Sequence, residues 1–280
     1  MVITPFKALV CPLDGNPLHC NESSWRCAAG HSFDIARQGY THLLPVQNKR
    51  SRNPGDSKAM VAARQRFLNA GFYRSIAAAV NQAALENLPS NASCLDAGCG
   101  EGYYLRQLAA VASDSDGSSL ALLGVDISKW AVLSAAKQSQ QSNWLVASNA
   151  NIPAQTNSLD RILCIFGFPV YSEFARVLKP GGELVQVDAG PDHLRELREI
   201  IYPSLKAEST LDTPLPEGFT HLSSQTVSYP LKLTNAEQVA DLLVMTPHFY
   251  RASAEGREKA LALTELVVTV DVRLTRLGRG

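Results

Sequence analysis

The sequence predicts an α/β protein: a seven-stranded, Rossmann-like parallel sheet covered by helices, with a small cysteine-bearing ribbon in front of it. Three observations carry this expectation. From Ser93 onward, short apolar runs alternate with helical patterns, as in strand-helix-strand units. A glycine-rich turn, CLDAGCGEGYYL, joins the first of those runs to a helix. Three of the six cysteines, Cys11, Cys20 and Cys27, crowd the first tenth of the 280-residue chain.

In order, the runs are SCLDAG (93–98), LLGVDI (122–127), NWLVAS (143–148), DRILCIF (160–166) and ELVQVDA (183–189). FTHLSSQTVSYPLKL and TELVVTVDVRL are long enough for two more strands, with a helix-like NAEQVADLLVM between them. Upstream, AMVAARQRFLNAGFYRSIAAAVNQAALENL has apolar residues at helical spacing, interrupted by Gly71. These helices link the ribbon to the sheet. The expected organisation is a ribbon over residues 1–45, a basic loop with linking helices over 46–90, and the sheet domain over 91–280.

A chain with 45% apolar residues can bury a sizeable core. Lys plus Arg and Asp plus Glu balance at 26 each, so no global field draws the protein to a polyanion or an anionic membrane. Any such site must be local. MVITPFKALVCPLDG lacks the basic flank and apolar run of a secretory signal, and even ALALTELVVTVDV is broken by Glu265 and Asp271, so no membrane partner is expected. The reading is cytoplasmic. In that compartment cysteines stay reduced, which points the N-terminal ones toward metal rather than disulfides.

In CLDAGCGEGYYL an apolar strand ends at Asp96, and Gly98, Gly100 and Gly102 alternate before a helix begins. Side chains are missing where strand becomes helix, so a ligand can lie against the backbone. The dinucleotide fingerprint would need glycine at 103, where Tyr103 stands, which argues against a nicotinamide enzyme. In GVDIS, Asp126 ends the second strand, where a carboxylate can accept hydrogen bonds from both ribose hydroxyls of an adenosine.

Together with LKPGGEL before the fifth strand, and Ser148 and Asn149 in VASNANIP, this series resembles the class I S-adenosylmethionine-dependent methyltransferases over roughly residues 90–275. A narrower resemblance follows from the Cys-Pro-Leu start, Cys27 and His31, FDIARQGYTHLLPVQNKRSRNPGDS, MVAARQRFLNAGFY, LDAGCGEGYY and GPDHLREL. Over nearly the whole chain these look like the bacterial 23S rRNA (guanine-N1)-methyltransferase family. That family has an N-terminal zinc ribbon of three cysteines and one histidine, and it methylates a guanine in an rRNA stem-loop.

The resemblance implies S-adenosylmethionine and zinc as cofactors and 23S ribosomal RNA as partner. It implies a donor site at Tyr73, Asp96, Gly98, Gly100, Glu101, Gly102, Asp126, Asn149 and His193. The zinc ligands fall on Cys11, Cys27 and His31, with Asp14 where the second cysteine belongs. Three outcomes stand open: Asp14 supplies a carboxylate oxygen to a weakened site, Cys20 takes the fourth position, or the ribbon keeps its shape without metal.

Residues 1–70 hold nine basic side chains against four acidic ones, densest in QNKRSRNPGDSK. Lys49, Arg50 and Arg52 are therefore expected to contact RNA phosphates. Phe166 and Phe168 in FGFPVY stand ready to stack a flipped guanine or simply to end a strand. The group that accepts the N1 proton is not legible, nor is the choice of guanine, and the sequence leaves open whether two copies form a homodimer. Rival readings are a methyltransferase of a small-molecule or protein acceptor, and an inactive donor-binding assembly factor.

Overall fold

A computed structural model describes residues 1–48, 51, 53–113, 118–204 and 215–280. The N-terminal segment forms β1 (Val2–Pro5), β2 (His19–Asn21), β3 (Ser24–Arg26), β4 (Ser32–Asp34) and β5 (Tyr40–His42). Two linking helices follow, α1 (Lys58–Asn69) and α2 (Arg74–Leu85). Ser57 caps α1 by accepting a hydrogen bond from the Met60 amide, and the chain breaks at Gly71, whose φ of +84° suits only glycine. The remainder is β6 (Ala92–Ala97), α3 (Tyr103–Ala112), β7 (Ser119–Asp126), α4 (Lys129–Gln138), β8 (Asn143–Val146), β9 (Leu159–Ile165), α5 (Tyr171–Val177), β10 (Leu178–Ala189), α6 (Arg195–Ile201), β11 (Phe219–Leu233), α7 (Ala236–Met245), α8 (Pro247–Arg251), α9 (Ala254–Leu261) and β12 (Leu266–Arg279).

All seven expected strands are present, in the order β11, β12, β10, β9, β6, β7, β8. β12 runs antiparallel to both neighbours, and the others pair in parallel. β6 and β9 are buried along their whole length because α2 and α3 cover one face and α5 with the N-terminal segment the other, which explains why ASCLDA and LDRILCI do not alternate between apolar and polar. The outermost strand β11 is mostly exposed and polar, which suits a sheet edge.

Two strands join that the sequence did not reveal. β5 pairs in parallel with β8 at the opposite edge, and β1 pairs with the first half of β7, bringing the sheet to nine strands among the described residues. Only β2, β3 and β4 form a separate small sheet. Even this ribbon shares its core with the larger one: Leu9, Leu18 and Trp25 pack in one cluster with Leu145, Ile152 and Phe174. Residues 1–45 thus contribute to the same sheet and core as residues 91–280.

Strand order reverses between β6, which leads through α3 to β7, and β9 on its other side. Ligands of open α/β sheets bind outside the carboxyl ends of the strands at such a point. Among the described residues no helix is long and apolar enough to cross a membrane.

Candidate active site and metal centre

A cavity of about 1220 Å³ opens at this reversal. Of the donor-site residues expected from sequence, Tyr73, Gly98, Gly100, Glu101, Asp126, Asn149 and His193 line it. Gly98 has φ +92° and nothing within 4 Å of where a Cβ would stand, so its backbone is bare toward the cavity. Asp126 ends β7 with one oxygen accepting from the Gly100 amide (2.9 Å) and the other from the Ser128 amide (2.7 Å). These bonds fix the carboxylate and leave each oxygen a lone pair for a ligand.

Asp96 and Gly102 do not line the cavity, for different reasons. Asp96 lies behind the loop, 1% exposed, with Oδ2 unpartnered. Burial, reinforced by Asp126, pushes its carboxyl up to about 8. Gly102 caps α3 at φ +81°, and a Cβ there would meet the Trp144 ring at 2.6 Å and Ala135 at 2.9 Å. Its lack of a side chain serves the core. Gly124 has the same neighbour, at 2.3 Å.

Glu101 faces the cavity but is held from behind by Arg106 (3.1 Å) and Gln138 (2.6 Å). Tyr104 on α3 also lines the cavity, with its hydroxyl buried and unpartnered. An orphaned hydroxyl on the cavity wall beside a bare glycine loop fits a bound polar cofactor, because such a group is otherwise costly to leave unsatisfied.

His193 follows β10 and accepts the Asp271 amide on Nδ1 (3.2 Å), so Nε2 carries the proton and faces the Tyr73 hydroxyl at 3.4 Å. Burial lowers its pKa to about 4, so it stays neutral. Phe166 adopts φ +52°, unusual for a side chain of its size, and its ring lies 5.5 Å from His193 and 6.0 Å from Tyr73. Phe168 is 86% exposed at the cavity wall, and its carbonyl accepts from Asn149 Nδ2 (3.4 Å) across the opening.

The sequence reasoning missed Tyr104 and Arg64. Arg64, on α1, pairs with Asp56, and its other nitrogen donates to the Met245 carbonyl at 2.9 Å, so the linking helix closes one wall. Only the three-dimensional fold brings these residues together. Lys49, Arg50 and Arg52 lie outside the described residues, but Gln47, Ser51 and Pro54 beside them line the cavity.

In the ribbon, Cys11 and Cys27 each open a tight turn, closed by Gly15 (φ +74°) and Gly30 (φ +87°). The turns bring Cys11, Asp14, Cys27 and His31 ligand atoms within 4.8 Å of one another. Asp14 Oδ2 lies 3.3 Å from Cys27 Sγ and 3.0 Å from His31 Nδ1, which is 3.5 Å from Cys11 Sγ and 3.4 Å from Cys27 Sγ. A tetrahedral zinc with bonds of about 2.0–2.3 Å has ligand separations of about 3.3–3.8 Å, close to these four distances, so the group is placed to share one ion. Cys20 sits exposed on β2, opposite Trp25, and outside this group. Burial pushes the Cys11 thiol up to about 11, whereas the Asn16 amide holds Asp14 well below the usual carboxylate range.

The sheet order and glycine loop define a class I S-adenosylmethionine-dependent methyltransferase with a zinc-ribbon module. A family model described as "RlmA, N-terminal", a zinc ribbon, matches residues 9–52, and one described as "Methyltransferase domain" matches residues 94–182. A Micromonospora griseorubida protein named "Putative 23S rRNA (guanine-N(1)-)-methyltransferase" is 33% identical, covering 96% of each chain. YxjB of Bacillus subtilis, of the same printed name, is 30% identical over 95% of each. A Streptomyces fradiae 23S rRNA (guanine(748)-N(1))-methyltransferase is 33% identical over 68% of this chain and 66% of its own. The chain belongs to the 23S rRNA (guanine-N1)-methyltransferase family.

Proposed function

We propose that the protein transfers the methyl group of S-adenosylmethionine to N1 of a guanine in a 23S ribosomal RNA stem-loop, in the cytoplasm. Family membership over almost the full length supports the reaction. The observation that carries it is a glycine-loop cavity whose wall holds the exposed ring of Phe168, because a nucleobase needs a face to stack on once it leaves its own stack.

S-adenosylmethionine supplies an activated methyl on a sulfonium. In this reading Asp126 accepts from the ribose hydroxyls, Asn149 meets the adenine, and the Gly98 and Gly100 backbone lies against the cofactor. Glu101, Tyr73, Tyr104 and His193 present polar atoms around its remaining part, with Asp96 behind the loop and Gly102 shaping it from beneath. Holding nucleophile, methyl carbon and sulfur in line is the main catalytic demand of such a displacement.

Residues 1–45 act as the RNA-recognition module, residues 46–90 as the basic loop and linker, and residues 91–280 as the catalytic domain. Lys49, Arg50 and Arg52 contact phosphates. Cys11, Cys27, His31 and Asp14 hold zinc, the aspartate oxygen giving a weaker site than a fourth thiolate.

The test is transfer of labelled methyl to 23S rRNA fragments, with the product mapped by mass spectrometry. A single N1-methylguanine in one stem-loop is expected. Binding of the methyl donor with no incorporation into RNA would overturn the assignment.

A further inference from the structure

Methylation at N1 of guanine leaves one proton to be removed, and the cavity narrows the choice of base. Among the described residues its carboxylates are Asp56, Glu101, Asp126 and Asp188. Asp56 is paired with Arg64, Glu101 is clasped by Arg106 and Gln138, and Asp126 is fixed to the amides of Gly100 and Ser128. The two histidines of the wall are no better placed. His193 Nδ1 accepts the Asp271 amide, and His248 Nδ1 is engaged with the Tyr202 hydroxyl at 3.0 Å.

Asp188 differs. It stands exposed at the carboxyl end of β10, two residues before the chain turns toward His193. Its Oδ2 accepts from Gln186 Nε2 at 2.7 Å, and Gln186 Oε1 in turn accepts from the Tyr171 hydroxyl at 3.0 Å. This relay fixes the amide orientation and aims the carboxylate, while Oδ1 makes no hydrogen bond among the described residues. Phe168 lines the same cavity with its ring exposed.

We infer that Asp188 is the catalytic base of the proposed reaction, and that its carboxylate also selects guanine. This rests on the function proposed above. N1–H and N2–H of guanine are adjacent donors, matching two carboxylate oxygens, whereas adenine presents an N1 acceptor that would face the carboxylate unfavourably. In the step, the N1–CH3 bond forms as the methyl–sulfur bond breaks, its electron pair remaining on sulfur. The N1–H bond breaks with its pair staying on N1, and the proton goes to Asp188 Oδ1 and then to water. N1 becomes far more acidic as it is alkylated, which eases transfer of its proton to the carboxylate. Gln186 and Tyr171 are positioning residues.

The experiment compares the full-length protein with Asp188→Asn and Asp188→Glu on the 23S stem-loop fragment, under single turnover across pH, alongside donor binding and RNA affinity with inosine at the target. Asp188→Asn should lower the rate by about 10²–10⁴-fold and erase the rise of rate from acid toward neutral pH, with donor affinity unchanged and partial rescue by glutamate. Inosine, which lacks the N2 amino group, should weaken RNA binding to the wild type but not to Asp188→Asn. A variant within about threefold of wild type at every pH, or a rate loss matched by lost donor binding, overturns the inference while leaving the reaction intact. A wild type that methylates no guanine overturns both.

Discussion

Asp96 ties stability to pH in a way that can be worked through. Its carboxyl, 1% exposed with an unpartnered oxygen, is displaced from 3.8 to about 8. Between about pH 4 and 8 the folded protein therefore keeps a proton that the unfolded chain has lost, and stability falls as pH rises, by about 1.4 kcal/mol per pH unit. Summed from about pH 4 to pH 7, the penalty is of the order of 4 kcal/mol. Asp96→Asn has nearly the shape of the protonated acid and cannot ionise. It should match the wild type near pH 4 and exceed it by a few kcal/mol at pH 7, about 8 °C in melting temperature for a chain of this size, with the gap levelling off above about pH 8. Urea unfolding followed by circular dichroism reads this directly. Parallel stability curves for the two proteins from pH 4 to 8 would refute the reasoning.

Substitutions at three other positions separate the parts of the molecule. Asp14→Ala should lose zinc to a chelator faster than the wild type and Asp14→Cys more slowly; since bound cysteines must be thiolates, acid should release the metal from each, and identical release from all three would remove Asp14 from the ligand set. Gly102→Ala forces a Cβ onto Trp144 at a φ of +81° and should cost about 2–4 kcal/mol in unfolding experiments before any ligand is added. Phe168→Ala should leave melting unchanged, its ring being 86% exposed, while reducing RNA binding by about 5- to 150-fold, the range of one base stack; an unchanged RNA affinity would remove it from the interface.

The sheet was legible because its central strands are covered on both sides, so burial writes continuous apolar runs into β6, β7 and β9. β1 and β5 escaped notice because four and three residues are too short to show a period, and their pairing partners lie over a hundred residues away. Asp126 and the open glycines could be read locally, since a strand, a turn and a helix suffice to place them. Gly102 looked like its neighbours in sequence, yet its reason is Trp144, a contact no local pattern displays. Arg64, Tyr104 and Asp188 could not be singled out for the same reason: the cavity gathers α1, α3 and β10, and each of those residue types is unremarkable on its own element.

The ribbon's attachment also bears on how it can carry Asp14 rather than a fourth thiol in its candidate metal group. A free-standing zinc ribbon folds on its metal, so a weaker ligand costs folding directly. Here Trp25, Leu18 and Cys11 are buried in the cluster that also covers one face of the sheet, and much of the ribbon's shape therefore rests on apolar packing. The first turn is further bonded to the loop after β8: the Val10 amide donates to the Pro153 carbonyl at 3.1 Å, and the Gln155 amide to the Ala8 carbonyl at 2.9 Å. That loop carries Ser148, Asn149 and Asn151 into the cavity wall. The ribbon's candidate metal group and the cavity wall are thus joined through one short segment.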